Sequence, residues 1–409
     1  YFIEYDVDGT KTKTDKFYFV VPPSLTVNGK YLAFNDVNIQ LVVSKWIGPL
    51  SEWDAFFTEV ARKGYTMIHF TPLQERGDLN SPYSIYDQLR FDPTLFSLND
   101  EATKVLKDTL KSKDLLSLTD VVWNHTANNS AWLREHPDAG YNRETAPHLR
   151  AAIELDAKLL EYSLKLEELG LPVDITDENI SQVTDGLQPH VLDPLELWQY
   201  YVYNHETTVS GVEKAFHDNN FTPNIDIPQS VNRTDIYSVA KYAQEVSGNP
   251  VVLLDRFSNK LDSATLLGVI FSIFDLGKET SLDTVKAKAG EIIDALNVEL
   301  YEAFNDDVAT IKRQVSDRLR YLRLDPNGPK LGKITAKAPL AEEYFTRFKD
   351  TKGQEWALAN NGWTWGGNPL VDFAGNSLKA YLRREVLGWG DCVKLRYGTR
   401  PEDSPFVWG

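Results

Sequence analysis

The chain has 409 residues, of which 42% are hydrophobic and 25% are charged. These proportions are typical of folded globular proteins, so they exclude a disordered, collagen-like or low-complexity chain. The length suggests about two or three domains, or one architecture with insertions. Lys and Arg number 43 against 59 Asp and Glu, which gives a formal net charge of -16. Nucleic acids and anionic membranes attract basic surfaces, so we expect neither as a partner.

The sequence also limits the compartment. Cys392 is the single cysteine, which excludes an intrachain disulfide and a cysteine-based zinc site. No apolar run reaches the roughly 18 residues that span a bilayer, and the first residues lack the layout of a signal peptide. We therefore expect a cytoplasmic protein. The start at Tyr1 and the one methionine, Met67, lead us to expect a piece of a longer polypeptide.

The first 36 residues alternate polar and apolar side chains, and Asn28–Gly29 is a hairpin turn signal. We predict a small β element over residues 1–36. An apolar run begins at Asn38 and is followed by apolar residues at helical spacing, which predict a helix that can end at Gly64. A second apolar run follows this helix. The order strand, helix, strand predicts a βαβ unit whose parallel strands are buried on both faces.

A second helical pattern leads into a third apolar run that ends in DVVWNHT. Strand-and-helix units over residues 37–126 predict the first part of a parallel barrel or a doubly wound sheet. Helical periodicity then dominates residues 127–345, with one stripe that ends at Gly170. A longer stripe reaches Leu322 and leaves open a break near Asn305. We predict a mainly helical insertion there, followed by a segment that returns toward the barrel over residues 346–409.

In parallel α/β folds the functional residues lie where strands end, at their carboxyl ends. After the second apolar run, SPYSIYDQL carries Tyr83 and Asp87, which are our first candidates for substrate binding. The ring of Tyr83 can stack on the apolar face of a sugar. The structural alternative is a packed tyrosine whose hydroxyl bonds to Asp87.

The third strand ends in a second candidate group, Asp120, Asn124 and His125. Alternation predicts Asp120, Val122 and Asn124 on one side of the strand and His125 at the start of the loop. An acid, an amide and an imidazole at a buried strand end must bond either to one another or to a polar ligand. Both alternatives stay open.

The third candidate is NNGWTWGGNPL, in which Trp363 and Trp365 can form a shelf that stacks against sugar. A core cluster with the nearby tryptophans explains them equally well. The other histidines show no metal-ligand spacing, and we interpret them as structural: His69, His136, His148, His190, His205 and His217. We expect no metal and no cofactor.

These motifs resemble a known family. DVVWNHT resembles the first conserved motif of the α-amylase clan of glycoside hydrolases and transferases, and SPYSIYDQL resembles its tyrosine-bearing loop. Longer segments resemble the 4-α-glucanotransferase half of eukaryotic glycogen debranching enzymes: SKWIGPLSEWDAFFTEVARKGYTMIHFTPLQERG, DVVWNHTANNSAWLREHPDAGYN, RLDPNGPKLGKIT and GWGDCVKLRYGTRPEDSPF. The resemblance runs from about Asn38 to Phe406 and is weakest in the helical insertion.

The resemblance implies an α/β fold that is part of a TIM-type (β/α)8 barrel. It also implies retaining transfer of short α-1,4 maltooligosaccharide segments, with glycogen and maltooligosaccharides as partners. Tyr83 would stack beneath the glucose ring at the cleavage subsite, and His125 would hydrogen-bond the hydroxyls of that sugar. Asp120 would orient neighbouring catalytic groups, and Asn124 would support the loop.

The sequence departs from this family in one respect. The nucleophile of the clan lies in a G-x-R-x-D segment after the fourth barrel strand and the acid follows the fifth, and we recognise neither. Arg323 and Asp325 match that segment only superficially, since they follow a long helix. We therefore expect the catalytic carboxylates beyond Gly409 and no activity in the isolated chain. The alternatives are a non-catalytic glucan-binding or scaffold protein and an amylase-type hydrolase.

Overall fold

A computed structural model of the protein describes residues 1–21, 23–96, 99–221, 225–248, 256–277, 279–361 and 390–397. The chain divides into two compact units, Tyr1–Trp123 and Asn124–Gly409. Within the described ranges, no helix combines the length and the apolar composition that a membrane span requires.

In its described residues, the first unit contains short strands and two α-helices. Its strands are β1 (Glu4–Val7), β2 (Thr10–Lys13), β3 (Ser24–Val27), β4 (Lys30–Ala33), β5 (Ile39–Val42), β6 (Met67–Phe70), β7 (Gln74–Arg76), β8 (Ile85–Phe91) and β9 (Leu116–Thr119). Its helices are α1 (Trp53–Arg62) and α2 (Asn99–Ser112).

The described residues of the second unit are mainly helical between Arg150 and Arg323. Its helices are α3 (Arg150–Leu164), α4 (Ile180–Asp185), α5 (Asp193–Leu195), α6 (His205–His217), α7 (Ile236–Ser247), α8 (Ser263–Ile273) and α9 (Leu282–Arg323). Its strands are β10 (His125–Ala127), β11 (Phe345–Lys349), β12 (Glu355–Ala359) and β13 (Cys392–Lys394).

Strands β3 and β4 form the hairpin that the Asn28–Gly29 signal predicts. The φ angles of these two residues are 51° and 77°, the left-handed backbone that such a two-residue turn requires. The Asn28 side-chain amide donates to Asp114 Oδ1 (2.7 Å), and Lys30 Nζ lies 2.5 Å from Asp114 Oδ2. The hairpin is therefore bonded to the turn that follows α2, within the first unit.

The predicted βαβ unit is confirmed. Strands β5, β6 and β9 form a parallel sheet in that order, with α1 between β5 and β6 in sequence and α2 before β9. The chain leaves α1 through Gly64, whose φ of 84° is the left-handed conformation that favours glycine at a helix end.

One face of this sheet forms the core of the first unit. Ile68 and Phe70 of β6 are fully buried, and they pack in one hydrophobic cluster with Trp53 and Phe57 of α1. The rings of Trp53 and Phe70 stack with centroids 5.7 Å apart and an interplanar angle of 11°. The indole N–H of Trp53 donates to the Gly48 carbonyl (3.0 Å), so the ring is fixed in position as well as buried.

The other face of the sheet differs from the sequence prediction. Ile39 and Leu41 of β5 and Leu118 of β9 are exposed, although we predicted apolar strands buried on both faces. The strand register places all three on the face that also carries His69. The helices cover only the opposite face in the described part of the chain.

The prediction that DVVWNHT continues the third strand is wrong. The partner strand β6 ends at Phe70, and the last bond of this pair runs from the Asp120 N–H to the Phe70 carbonyl (3.2 Å). The strand β9 therefore ends at Thr119, and His125 begins a separate strand that pairs with β13. Asp120 belongs to the first unit, whereas His125 belongs to the second.

Helix α9 contains 42 residues without interruption, so the break that we left open near Asn305 does not occur. At 1.5 Å per residue it is about 63 Å long. Its first half packs against α6, α7 and α8, and its second half packs against α3 and α4. The shorter predicted stripe forms α3, which ends at Leu164, before the predicted stop at Gly170.

We expect the substitution Phe57→Ala to lower the free energy of unfolding by about 3–5 kcal/mol, because it removes a fully buried ring and leaves a cavity. Urea titration measures this change. The control Phe34→Ala removes an exposed ring of the same unit and should change stability by less than about 0.5 kcal/mol. Equal effects of the two substitutions would contradict the placement of the core.

Candidate functional site

Three polar side chains meet at the carboxyl edge of the parallel sheet. The carboxylate of Asp120 lies between His69, whose Nε2 is 2.6 Å from Oδ1, and Tyr83, whose hydroxyl donates to Oδ2 over 2.9 Å. An ionised carboxylate only accepts hydrogen bonds, so Nε2 of His69 carries the hydrogen of the first bond. We call these three residues the carboxylate cluster.

The parallel register places His69 and Asp120 side by side. His69 pairs with Leu118 across the sheet, and Asp120 follows Leu118 by two residues. Because side chains alternate along a strand, Leu118 and Asp120 point to the same face as His69. The bond from the Asp120 N–H to the Phe70 carbonyl keeps this geometry one residue beyond the end of β9.

Tyr83 reaches the cluster from the loop that joins β7 to β8. The Gly77 N–H donates to the Ser84 carbonyl (2.8 Å), which closes the base of this loop. Lys45 donates from Nζ to the Asn80 carbonyl (2.8 Å), which connects the loop to the residues after β5. The Tyr83 hydroxyl is anchored at Asp120, and the residue as a whole remains 43% exposed.

The environment shifts the pKa values of Asp120 and Tyr83 in opposite directions. Burial acts to raise the pKa of Asp120, but the hydrogen bonds from His69 and Tyr83 and the charge of His69 outweigh it and lower the pKa below its usual value. Burial, together with the hydrogen bond to Asp120 and its charge, raises the pKa of Tyr83. At neutral pH the site therefore contains an ionised Asp120 and a protonated Tyr83 phenol.

These protonation states limit the chemistry of Asp120. A general acid must hold a proton near the working pH, and a carboxylate with a lowered pKa does not. Both oxygens of Asp120 already accept hydrogen bonds, which suits a group that orients its neighbours. The exposed ring of Tyr83 offers an apolar surface beside polar groups, the combination that a sugar ring needs.

The structural alternative predicted a bond from the Tyr83 hydroxyl to Asp87. That hydroxyl instead donates its hydrogen to Asp120. Asp87 lies in β8, and its Oδ1 accepts from the Leu89 N–H (2.8 Å). This hydrogen bond stabilises the backbone between Asp87 and Leu89.

Because its Nε2 bonds to Asp120, His69 is a candidate site residue that the sequence analysis missed. We interpreted it as structural because it has no metal-ligand spacing. The signal that could have found it is the alternation within TMIHFTPL, which places His69 on the face opposite Ile68 and Phe70. Its distance to Asp120 depends on the parallel register, which the sequence alone does not give.

Asn124 and His125 lie in the second unit and form a pair of their own. Nδ1 of His125 lies 2.8 Å from Asn124 Oδ1 and 3.4 Å from Asn361 Nδ2. The backbone of His125 pairs with Lys394 of β13, so the histidine begins a strand and not a loop. The other predicted site residues of this unit, Trp363 and Trp365, lie outside the described residues.

Neither a catalytic role of Arg323 and Asp325 nor a metal site finds support in the described residues. Arg323 donates to the carbonyls of Ala338 and Pro339, and Asp325 accepts from the Asn327 N–H, so both residues bond to nearby backbone. Among the residues that the structure describes, no group of three or more His, Cys, Asp or Glu side chains could hold a metal ion.

Comparison with known proteins gives a clear family match. Residues 30–409 match the family described as "Glycogen debranching enzyme, glucanotransferase domain". The chain is 44% identical over 414 residues to the glycogen debranching enzyme of Saccharomyces cerevisiae, a match that covers 100% of this chain and 27% of the yeast protein. The chain therefore belongs to the family of glycogen debranching enzyme glucanotransferase domains, as its motifs predicted. It spans about a quarter of the length of this yeast relative.

Two solved structures show weaker likeness. An α-amylase from Lactobacillus plantarum is 24% identical, covers 26% of this chain and 28% of its own, and has a TM-score of 0.24. A maltogenic α-amylase from Thermotoga neapolitana is 15% identical, covers 64% of this chain and 77% of its own, and has the same TM-score of 0.24. At these TM-scores neither likeness bears on the fold.

The lowered pKa of Asp120 predicts how the cluster responds to pH. Its carboxylate contributes stability above the unfolded pKa of roughly 3.9, and this contribution is lost as the pH falls through the lower folded pKa. We expect Asp120→Asn to destabilise the protein at neutral pH and the difference to shrink below about pH 4. Urea titrations over a pH series measure it.

The matched control is Asp78→Asn, which changes an exposed carboxylate of the same unit. A difference between the Asp120→Asn variant and the unmodified protein that is the same at every pH would contradict the ionic role of Asp120.

Proposed function

We propose that this chain forms the glucan-binding part of a 4-α-glucanotransferase that acts in glycogen debranching. The observation that carries the proposal is the carboxylate cluster, in which an ionised Asp120 holds the half-exposed ring of Tyr83 at the carboxyl edge of a parallel sheet. Membership of the glucanotransferase family supports the same function.

The cluster suits a neutral sugar. The apolar face of a glucose ring can stack on the Tyr83 ring, whose hydroxyl end is held by its bond to Asp120. Sugar hydroxyls can donate hydrogen bonds to the Asp120 carboxylate and form hydrogen bonds with the His69 ring. The formal charge of -16 favours neutral glucan over polyanionic ligands. Glycogen and maltooligosaccharides are the partners that we propose.

The proposed roles of the other candidates follow the family. His125 would hydrogen-bond a sugar hydroxyl. Asn124 would hold the imidazole in orientation, because its Oδ1 lies 2.8 Å from Nδ1 of His125. Asp87, Trp363 and Trp365 remain candidates for further sugar contacts.

The proposed reaction is retaining transfer. A carboxylate nucleophile forms a glycosyl-enzyme, a second carboxyl group protonates the leaving oxygen, and a sugar hydroxyl then replaces water as the acceptor. Asp120 serves this reaction as a positioning residue.

We further propose that β5, β6 and β9 are the first three strands of a TIM-type barrel. In such a barrel the helices lie outside and the inner face of the strands is filled by side chains. The face that carries Ile39, Leu41 and Leu118 is exposed, and the helices pack on the opposite face, which is the arrangement that further barrel strands would complete. Residues 127–345 would be an insertion, and 346–409 the return segment.

The same family supports a cytoplasmic protein without a nucleic-acid or membrane partner, which we propose as its setting.

The two alternatives to transfer are distinguishable by products. Longer and shorter oligosaccharides formed together from one maltooligosaccharide indicate transfer, shorter products alone indicate hydrolysis, and binding without turnover in the complete natural protein indicates a scaffold.

The substitution Tyr83→Ala tests the proposal in the natural protein that contains this chain. Loss of the stacking ring should lower kcat/KM for maltooligosaccharide disproportionation by about tenfold or more, equivalent to about 1.4 kcal/mol. Tyr83→Phe keeps the ring but loses the bond to Asp120, so a smaller loss is expected. Chromatography of the oligosaccharide products measures both.

The matched control is Tyr5→Ala, because Tyr5 belongs to the same unit and is 45% exposed, close to the 43% of Tyr83. The proposal fails if the Tyr83→Ala and Tyr5→Ala proteins disproportionate maltooligosaccharides at the same rate.

A further inference from the structure

The second unit contains a cavity of about 510 Å³ that belongs to no part of the carboxylate cluster. It lies where two of the hydrophobic clusters of that unit meet along α9, since Tyr203 belongs to one of them and Trp198 and Phe257 pack against the other. Helix α6 begins beside it with His205.

One face of α9 builds a wall of the cavity. Asp294, Asn297, Val298 and Tyr301 line it, and their spacing of three, four and seven residues from Asp294 puts them on one helical face. The Asn297 side chain is fixed, because its Oδ1 accepts from the Tyr203 N–H (2.9 Å) and its Nδ2 donates to the Tyr203 carbonyl (3.0 Å).

Three aromatic rings lie in contact around the cavity. The ring centroid of Trp198 is 5.9 Å from those of both Phe257 and Tyr301. The planes of Trp198 and Tyr301 are tilted by 36° and those of Trp198 and Phe257 by 70°, so the three rings are not coplanar. Tyr301 is 40% exposed, which leaves aromatic surface available to a ligand.

Among the described polar residues that line the cavity, carboxylates outnumber groups that can carry a positive charge. Glu206 and Asp294 supply carboxylates, and His205 Nε2 lies 3.7 Å from Asp294 Oδ1. No Lys or Arg stands among the described residues that line it. Carboxylates and amides accept hydrogen bonds from hydroxyls but repel phosphates. A neutral polyol with apolar ring faces fits this lining, whereas a nucleotide does not.

We propose that this cavity is an accessory binding site for a short α-1,4-glucan segment. The inference rests on the proposed function, which makes α-glucan the substrate class. Consecutive glucose rings of an α-1,4 chain turn relative to one another, so they match tilted aromatic rings better than the flat ribbon of a β-1,4 chain does. A second site on one polymeric substrate raises the effective concentration of glucan for the first.

Maltoheptaose binding to the purified chain tests the inference, measured by calorimetry in a Tyr83→Ala background so that the carboxylate cluster contributes little. We expect binding to persist in this background. Adding Tyr301→Ala should weaken it by about tenfold or more, and adding His205→Ala should weaken it as well. Thermal melting and circular dichroism check that each variant folds.

The matched control is Tyr237→Ala, because Tyr237 is 48% exposed in α7 of the same unit and does not line the cavity. It should leave the affinity unchanged. Equal affinities of the Tyr301→Ala and Tyr237→Ala variants, no binding at all in the Tyr83→Ala background, or equally tight binding of cellohexaose would each overturn the inference.

The two proposals can fail separately. If Tyr83→Ala abolishes transfer while the cavity variants bind maltoheptaose normally, only the accessory site is wrong. If Tyr301→Ala weakens binding while Tyr83→Ala leaves transfer intact, only the role of the carboxylate cluster is wrong.

Discussion

Parallel pairing aligns β5, β6 and β9 so that their carboxyl ends lie at one edge of the sheet. This register brings His69 and Asp120 within 2.6 Å although 51 residues separate them in sequence. The stack of Trp53 against Phe70 holds the opposite face of the same strands, so the core and the polar cluster depend on one pairing. A shift of the register between β6 and β9 by one residue would place Asp120 on the face opposite His69.

The cluster shows how a partly buried carboxylate can hold an aromatic side chain in position. Burial alone would favour the protonated form of Asp120, but two donors keep it ionised, and in return it fixes the Tyr83 ring at its hydroxyl. A ring held at one end loses little conformational freedom when a sugar stacks on it. In the proposed accessory site of the second unit, hydrogen bonds to Tyr203 hold Asn297, and the rings of Trp198 and Tyr301 pack against each other.

The sequence predicted features that depend on local signals. The Asn28–Gly29 hairpin and helix α1 with Gly64 at its end follow from turn chemistry and helical periodicity. The role of His69 and the end of β9 at Thr119 could not be predicted, because both depend on which residues of β6 lie opposite. The family and the candidates Tyr83 and Asp120 came from motifs, whereas the bond between them required the structure.

The central claim is that the Tyr83 ring beside Asp120 binds an α-glucan. The most direct test is an experimental structure of the natural protein with a bound maltooligosaccharide. The account predicts a glucose ring stacked on Tyr83, with a hydroxyl within hydrogen-bond distance of Asp120 or His69. A structure in which the glucan occupies the transferase site while the Tyr83 ring stays uncovered would contradict it.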